Sequence, residues 1–282
     1  MNIVLAYGIL GFKSVPFTDI EYFNGIQKHL ENRFQARVLI AGVAPVAGIE
    51  VRGNQLKRKI LEALGQTGTP PVLDPDKKVH IIAHSMGGLD SRYILSPANP
   101  DNIADHVCSL TTIGTPHQGS PLADLCESLV DGESDMPLLG AIEGIIRDIV
   151  SKFLWFDAVH DLTTESMRKF NEIYIDNPQV DYFCIAGEGR EGDESSKTCK
   201  LLLPAHRYIK RMTDEENDGT VPVSSAQRDG WETLSPPWPA DHFDEVGHDL
   251  DRGVNSTPDH FDHLRKYEEI VERLRELPGQ LS

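Results

Sequence analysis

The run Ala83-His84-Ser85-Met86-Gly87-Gly88 sets a serine between a short apolar segment and a segment of helical periodicity. A serine on a tight strand-to-helix turn presents its hydroxyl at the sheet edge, and small flanking residues let the strand and helix backbones approach. Ala83 and Gly87 meet that need, with alanine standing where a glycine is usual. The following helix also brings the Met86 backbone N–H beside the serine, where its partial positive charge can stabilise a developing oxyanion. The chemistry implied is attack by Ser85 on a carbonyl carbon. The competing reading is a glycine-rich turn with an incidental serine, and the strand-and-helix context favours the first.

A hydroxyl is a weak nucleophile until a base takes its proton, so a histidine held by a carboxylate must lie elsewhere, in the chain order serine, acid, histidine. Eleven histidines compete. His242 is selected because Pro236-Pro237-Trp238-Pro239-Ala240-Asp241 forces an extended loop before it, and a loop after the last strand is where a base can reach over the sheet. His260 and His263 are expected on a C-terminal helix, as solvated or core-edge residues. His84 is expected to point away from the serine side chain, and His29, His80, His106, His160 and His206 carry no motif. For the acid, Asp218 precedes a glycine turn in Asn217-Asp218-Gly219. Alone it reads as an ordinary Asp-Gly turn; its position between Ser85 and His242 makes it the expected partner.

These groups need a sheet to position them. Ile3–Tyr7, Val38–Ala44, Val79–Ala83, Val107–Ile113 and Tyr182–Ala186 are short apolar runs bounded by turn residues, which reads as buried strands. Between them, Ile20, Phe23, Ile26, Leu30 and Phe34 recur at helical spacing, Val51–Leu64 continues in kind, and a helix is expected through Leu89–Leu95. Alternating strands and helices predict a mostly parallel sheet covered on both faces. An insertion at 131–157 carries Leu138, Ile142, Ile145, Ile146, Ile149, Val150 and Phe153 on one apolar arc of roughly 140°. A closing helix is expected from Thr257-Pro258, with Phe261, Leu264, Tyr267, Val271 and Leu274 on one side, to Pro278-Gly279.

Composition narrows the partners. The 282 residues include 44 acidic against 27 basic, a formal charge of −17, which disfavours phosphate backbones and anionic headgroups, so no nucleic acid is expected. No apolar run reaches about 18 residues, so no transmembrane segment is expected. Four cysteines without C-x-x-C spacing read as reduced structural thiols. Met1–Gly8 lacks a basic leader region, so the chain is expected either to stay in the cytoplasm or to be a mature secreted form.

Taken together, Ile3–Phe12, Glu50–Leu56, the serine turn, Gly114-Thr115-Pro116-His117-Gln118-Gly119-Ser120, Asn217-Asp218-Gly219 and His242-Phe243-Asp244-Glu245-Val246 resemble the bacterial triacylglycerol lipases of the Pseudomonas and Burkholderia type, over nearly the whole length. The resemblance implies a single α/β-hydrolase domain over 1–282, with a lid or cap insertion at about 121–170. It implies Ser85 as nucleophile, Asp218 as orienting acid, His242 as base, and the backbone N–H groups of Ile9 and Met86 as oxyanion hole. The lid would close an apolar cleft in water and open in transient contact with a lipid surface. Three departures stand out. Tyr7-Gly8 replaces a His-Gly pair before the first oxyanion donor, so the contacts bracing that loop must differ. Members often hold a structural calcium, and Asp244 matches one ligand, but His248 falls where an oxygen-donating amide is usual and no second aspartate is placed. Cys184 matches one half of the secreted members' disulfide, and Ser224 and Ser225 stand in the segment that would supply the other.

The expected activity is hydrolysis of medium- to long-chain acyl esters through an acyl-enzyme intermediate, with no required cofactor and an ester or lipid as partner. The alternatives are a short-chain carboxylesterase, or a non-catalytic relative binding an apolar ligand. The sequence is silent on oligomeric state.

Overall fold

The computed structural model describes residues 1–9, 21–130, 157–253 and 255–277. Six strands, β1 (Asn2–Ala6), β2 (Arg37–Ala41), β3 (Val79–His84), β4 (Val107–Ile113), β5 (Asp181–Ile185) and β6 (Glu232–Thr233), form one sheet in the order β2-β1-β3-β4-β5-β6. Every neighbouring pair is parallel. Four of the five longer strands fall within a residue of the apolar runs, and β2 stops three residues before Ala44; the runs exist because a sheet covered on both faces has no polar side to alternate with. β6 has two exposed residues and therefore no hydrophobic signal.

Alternate side chains divide between two cores. Val4, Ala6, Ile81 and Ala83 face α2 (Ile49–Ala63) and α3 (Met86–Leu95). Ile3, Leu5, Ile82, Phe183 and Ile185 face the other way, against α1 (Ile26–Phe34) and the C-terminal helix. On the first side stand also α4 (Pro121–Val130), α5 (Asp157–Asp161) and α6 (Thr164–Ile173), which pack on one another. After β5 come α7 (Leu203–Thr213) and the short α8 (Val223–Ala226).

The closing helix, α9, runs His263–Arg275, five residues shorter at its start than the Thr257-Pro258 signal predicts. Its N-cap is Asp262, whose carboxylate accepts the Arg265 N–H at 3.0 Å. His260 consequently precedes the helix, and His263 is buried at its first turn with Nε2 2.9 Å from the Asn24 carbonyl oxygen. The predicted apolar arc at Leu138–Phe153 lies outside the described residues. Among the described residues, no helix is long and apolar enough to cross a membrane.

β1 and β3 lie in register, Ala6 beside Ala83, so the loops leaving both strands start at the same edge. There α3 passes so close to β1 that a Cβ on Gly87 would sit 2.4 Å from the Ala6 carbonyl oxygen and 2.9 Å from that of Tyr7. Both obstacles are backbone, which cannot swing aside. Gly87→Ala should therefore cost about 1–3 kcal/mol of overpacking and lower the melting temperature by several degrees; an unchanged melting curve would show that α3 is free to move outward.

Candidate active site

β3 ends at His84 and α3 begins at Met86, so Ser85 alone makes the turn between them. Its φ of 55° and ψ of −135° lie where an L-residue is strained, at a cost on the order of 1–3 kcal/mol. The surroundings fix that conformation. The Ser85 N–H donates to the Ile113 carbonyl at 2.9 Å, and its own carbonyl accepts the Gly88 N–H at 3.0 Å and the Thr115 hydroxyl at 2.7 Å.

The turn leaving β1 approaches the same serine. A Cβ on Gly8 would lie 2.6 Å from Ser85 Cβ and 2.8 Å from its Oγ, so a glycine is required for Ile9 to come this near. The bracing that Tyr7 was expected to change is visible here. The Tyr7 hydroxyl accepts the Val43 N–H at 2.9 Å and donates to the Val43 carbonyl at 3.3 Å. Arg52 of α2 donates to the carbonyls of Tyr7 at 2.7 Å and Ala44 at 2.9 Å, and pairs with Asp90 of α3 at 2.8 Å. Both members of that pair are buried, and desolvation lifts the Asp90 carboxyl to about 6 against the pull of Arg52.

Asp218 lies in the loop between α7 and α8. Its Oδ1 accepts three hydrogen bonds, from the Thr220 N–H at 2.7 Å, the Thr220 hydroxyl at 2.9 Å and the Val221 N–H at 2.7 Å. Oδ2 is left for His242, whose Nδ1 stands 2.7 Å away. The His242 backbone N–H donates to the Asp218 carbonyl at 2.8 Å, so the two loops are joined by main chain as well. A carboxylate only accepts, which assigns the ring hydrogen to Nδ1 and leaves the Nε2 lone pair free. The His242 side chain is 12% exposed. Its ring centroid lies 4.4 Å from that of His84, the residue before the serine. No hydrogen bond joins Ser85 to His242 among the described residues; nucleophile–base contacts in unliganded sites commonly tighten when substrate binds. Asp218 and His242 are thus joined, with the His242 ring against that of His84, the residue before Ser85, Met86 at the first position of α3 and Ile9 in the turn beyond Gly8.

Two further residues enter the site without a motif of their own. Glu245, three residues after His242 in a 3₁₀ turn, is fully buried, with Oε2 2.9 Å from His84 Nε2 and 3.6 Å from His242 Nδ1. The Nδ1 of His84 is 2.7 Å from the Tyr22 hydroxyl. Burial holds the His84 imidazole well below its usual range, and burial followed by the Asp218 charge holds the Glu245 carboxyl well above its own. Both shifts favour the uncharged forms. The i+3 spacing from His242 is a signal that could have marked Glu245; Tyr22 offers none.

The side chains around Asp244 do not fit a calcium ion, which takes six to eight oxygen donors. Asp244 Oδ2 faces His260 Nε2 at 3.2 Å and the Asp241 N–H at 3.3 Å. His248 Nε2 is turned to the carbonyls of Glu21 at 2.8 Å and Tyr22 at 3.1 Å. Asp241, the neighbouring buried carboxylate, is occupied by the N–H groups of Cys199, Phe243 and Asp244. The group facing Asp244 Oδ2 is thus an imidazole nitrogen and not an oxygen donor. Cys184 and Cys199 are free thiols, as the composition implied.

Residues 56–129 match the model of the PGAP1-like alpha/beta domain. The chain is 31% identical over 265 residues to a triacylglycerol lipase of Vibrio cholerae, covering 86% of this chain and 78% of that protein. It is 27% identical to a triacylglycerol lipase of Pseudomonas fragi, over 95% of this chain and 96% of that one. Among solved structures, the mature lipase BlEst2 of Bacillus licheniformis superposes with a TM-score of 0.64 at 26% identity, covering 86% of this chain and 84% of that one. With a parallel sheet, a serine on its strand-to-helix turn and this likeness over most of its length, the chain belongs to the triacylglycerol lipase family, carboxylic ester hydrolases of α/β-hydrolase fold.

Proposed function

We propose that Ser85 is the nucleophile of this ester hydrolase, with His242 as general base and Asp218 as the group that orients it. The observation that carries the reading is the 2.7 Å contact from His242 Nδ1 to Asp218 Oδ2, beside a serine on a strained turn. As Ser85 Oγ bonds to the carbonyl carbon, its proton passes to His242 Nε2 and the C=O π electrons move onto oxygen. That oxyanion rests on the backbone N–H groups of Ile9 and Met86; the latter, at a helix N-terminus, has no intrahelical acceptor to serve. Collapse expels the alcohol oxygen, which takes the proton from His242, and leaves the acyl group on Ser85. Water then follows the same path and releases the acid. No cofactor enters these steps.

Medium- to long-chain esters, triacylglycerol among them, are the proposed substrates. The relatives' names support this, as does the apolar arc read at Leu138–Phe153 with Trp155 and Phe156 after it. Such an arc within a lid at about 121–170 of a single domain would cover an acyl cleft in water and touch a lipid surface transiently.

Ser85→Ala should melt like the parent and lose about 10⁶-fold in turnover; parental hydrolysis of p-nitrophenyl esters by that variant would remove the assignment. Across esters of graded acyl length, soluble and emulsified, activity should peak at medium or long chains and rise at the interface, whereas a peak at acetate with no interfacial gain would mark a short-chain carboxylesterase. Dialysis against a calcium chelator should leave turnover and melting temperature unchanged; losses restored by calcium would mean that Asp244 exchanges His260 for an ion.

A further inference from the structure

We propose that Tyr22 and His84 form a positioning relay that ties the first oxyanion turn to the carboxyl of Glu245 beneath the base, so that both halves of the site keep one register. The proposal rests on the roles given above to Ile9 and His242. Four contacts in series carry it. The Gly8 N–H can only donate, and it lies 3.2 Å from the Tyr22 hydroxyl. That hydroxyl lies 2.7 Å from His84 Nδ1, and His84 Nε2 lies 2.9 Å from Glu245 Oε2. The same Oε2 is 3.6 Å from His242 Nδ1.

The proton order follows from the donors. Tyr22 accepts from Gly8 and passes its own hydrogen to His84 Nδ1, which leaves the imidazole hydrogen on Nε2, directed at Glu245. Chain separation gives the arrangement its use: 14 residues part Gly8 from Tyr22, 62 part Tyr22 from His84, and 161 part His84 from Glu245. Segments far apart in the chain are thus joined through the residue that precedes the nucleophile, in addition to the β1–β3 pairing and the Asn24 N–H to Val246 carbonyl bond.

The carboxyl at the far end has been given room. A Cβ on Gly114, at the end of β4, would stand 2.3 Å from Glu245 Oε2, and one on Gly187, after β5, 2.2 Å from Oε1. Glu245 therefore occupies a slot between two strand ends that only glycines leave open. The rings add rigidity: Tyr22 packs tilted against His84 with centroids 5.7 Å apart, and His84 against His242 at 4.4 Å.

The test is a double-mutant cycle on kcat and KM with a soluble ester. Tyr22→Phe keeps the ring and removes the hydroxyl; His84→Phe keeps a ring against His242 and removes both nitrogens. Each should lower kcat by about 10- to 100-fold, the penalty of a misplaced reacting group, with KM within about twofold and melting within a few degrees of the parent. Members of one relay fail as a unit, so the double variant should lose little more than the worse single one. A Tyr22→Phe kcat within twofold of the parent, a loss confined to KM, or losses that multiply in the double variant would overturn the relay. Should His84→Phe fail to fold, the Tyr22→Phe kcat and KM decide alone. Because Ser85→Ala reports on the nucleophile separately, an inactive Ser85→Ala beside a fully active Tyr22→Phe would sink the relay and leave the triad standing.

Discussion

A backbone that no L-residue adopts willingly, at Ser85, is the constraint on which the rest of the molecule depends. Left to itself the turn would relax to an ordinary strand exit, and the hydroxyl would sink toward the sheet. The relaxation is opposed on every side: Ile113 holds the amide, Thr115 and Gly88 hold the carbonyl, and the turns at Gly8 and Gly87 leave no space for a retreat. Hydrogen bonds of about 1 kcal/mol net each are together enough to offset a strain on the order of 1–3 kcal/mol. The sheet has to be parallel and covered on both faces for those partners to arrive together, because only then do β1, β3, β4 and β5 release their loops at one edge.

The electrostatics of that edge are those of a dry, acid-rich site. Asp218, Glu245, Asp241 and Asp244 are buried in two adjoining loops, and the ordinary result of such crowding would be mutual repulsion. The fold divides the load. Asp218 is surrounded by three donors on one oxygen and His242 on the other, Asp241 takes backbone N–H groups, and Asp244 takes His260. Glu245 has the imidazoles of His84 and His242 within reach, and burial followed by the Asp218 charge pushes its carboxyl toward the protonated form. His260, on the approach to the last helix, sets its Nε2 3.2 Å from Asp244 Oδ2 and so ties that approach to the loop of the base.

The parts of this arrangement written locally in the chain were legible. The serine turn, the five long strands and α2 follow from short-range rules about apolar runs and small residues, and His242 and Asp218 follow from chain order once the serine is chosen. The parts written over long separations were not. Tyr22 stands near the start of a helical apolar pattern without belonging to it, and nothing near it announces an imidazole 62 residues away. Arg52 sits in an otherwise ordinary amphipathic helix, and its role depends on Tyr7 and Ala44 folding over it. The start of α9 was misread because Thr257-Pro258 has good capping chemistry, while Asp262, the true cap, is chosen by Phe261 and His263 having to be buried. Local propensity proposes helix ends, and tertiary packing decides between them.

The account's central claim is convergence: one hydroxyl, one imidazole and two amides meeting around a tetrahedral centre. A crystal structure of the enzyme treated with a p-nitrophenyl alkylphosphonate tests it most directly, since the phosphorus mimics the attacked carbon. The account predicts phosphorus bonded to Ser85 Oγ, its oxygen about 2.7–3.1 Å from the Ile9 and Met86 nitrogens, and His242 Nε2 hydrogen-bonded to a second oxygen while Nδ1 stays on Asp218. Phosphorus on another residue, or on Ser85 with the His242 ring turned away and neither amide engaged, would contradict it.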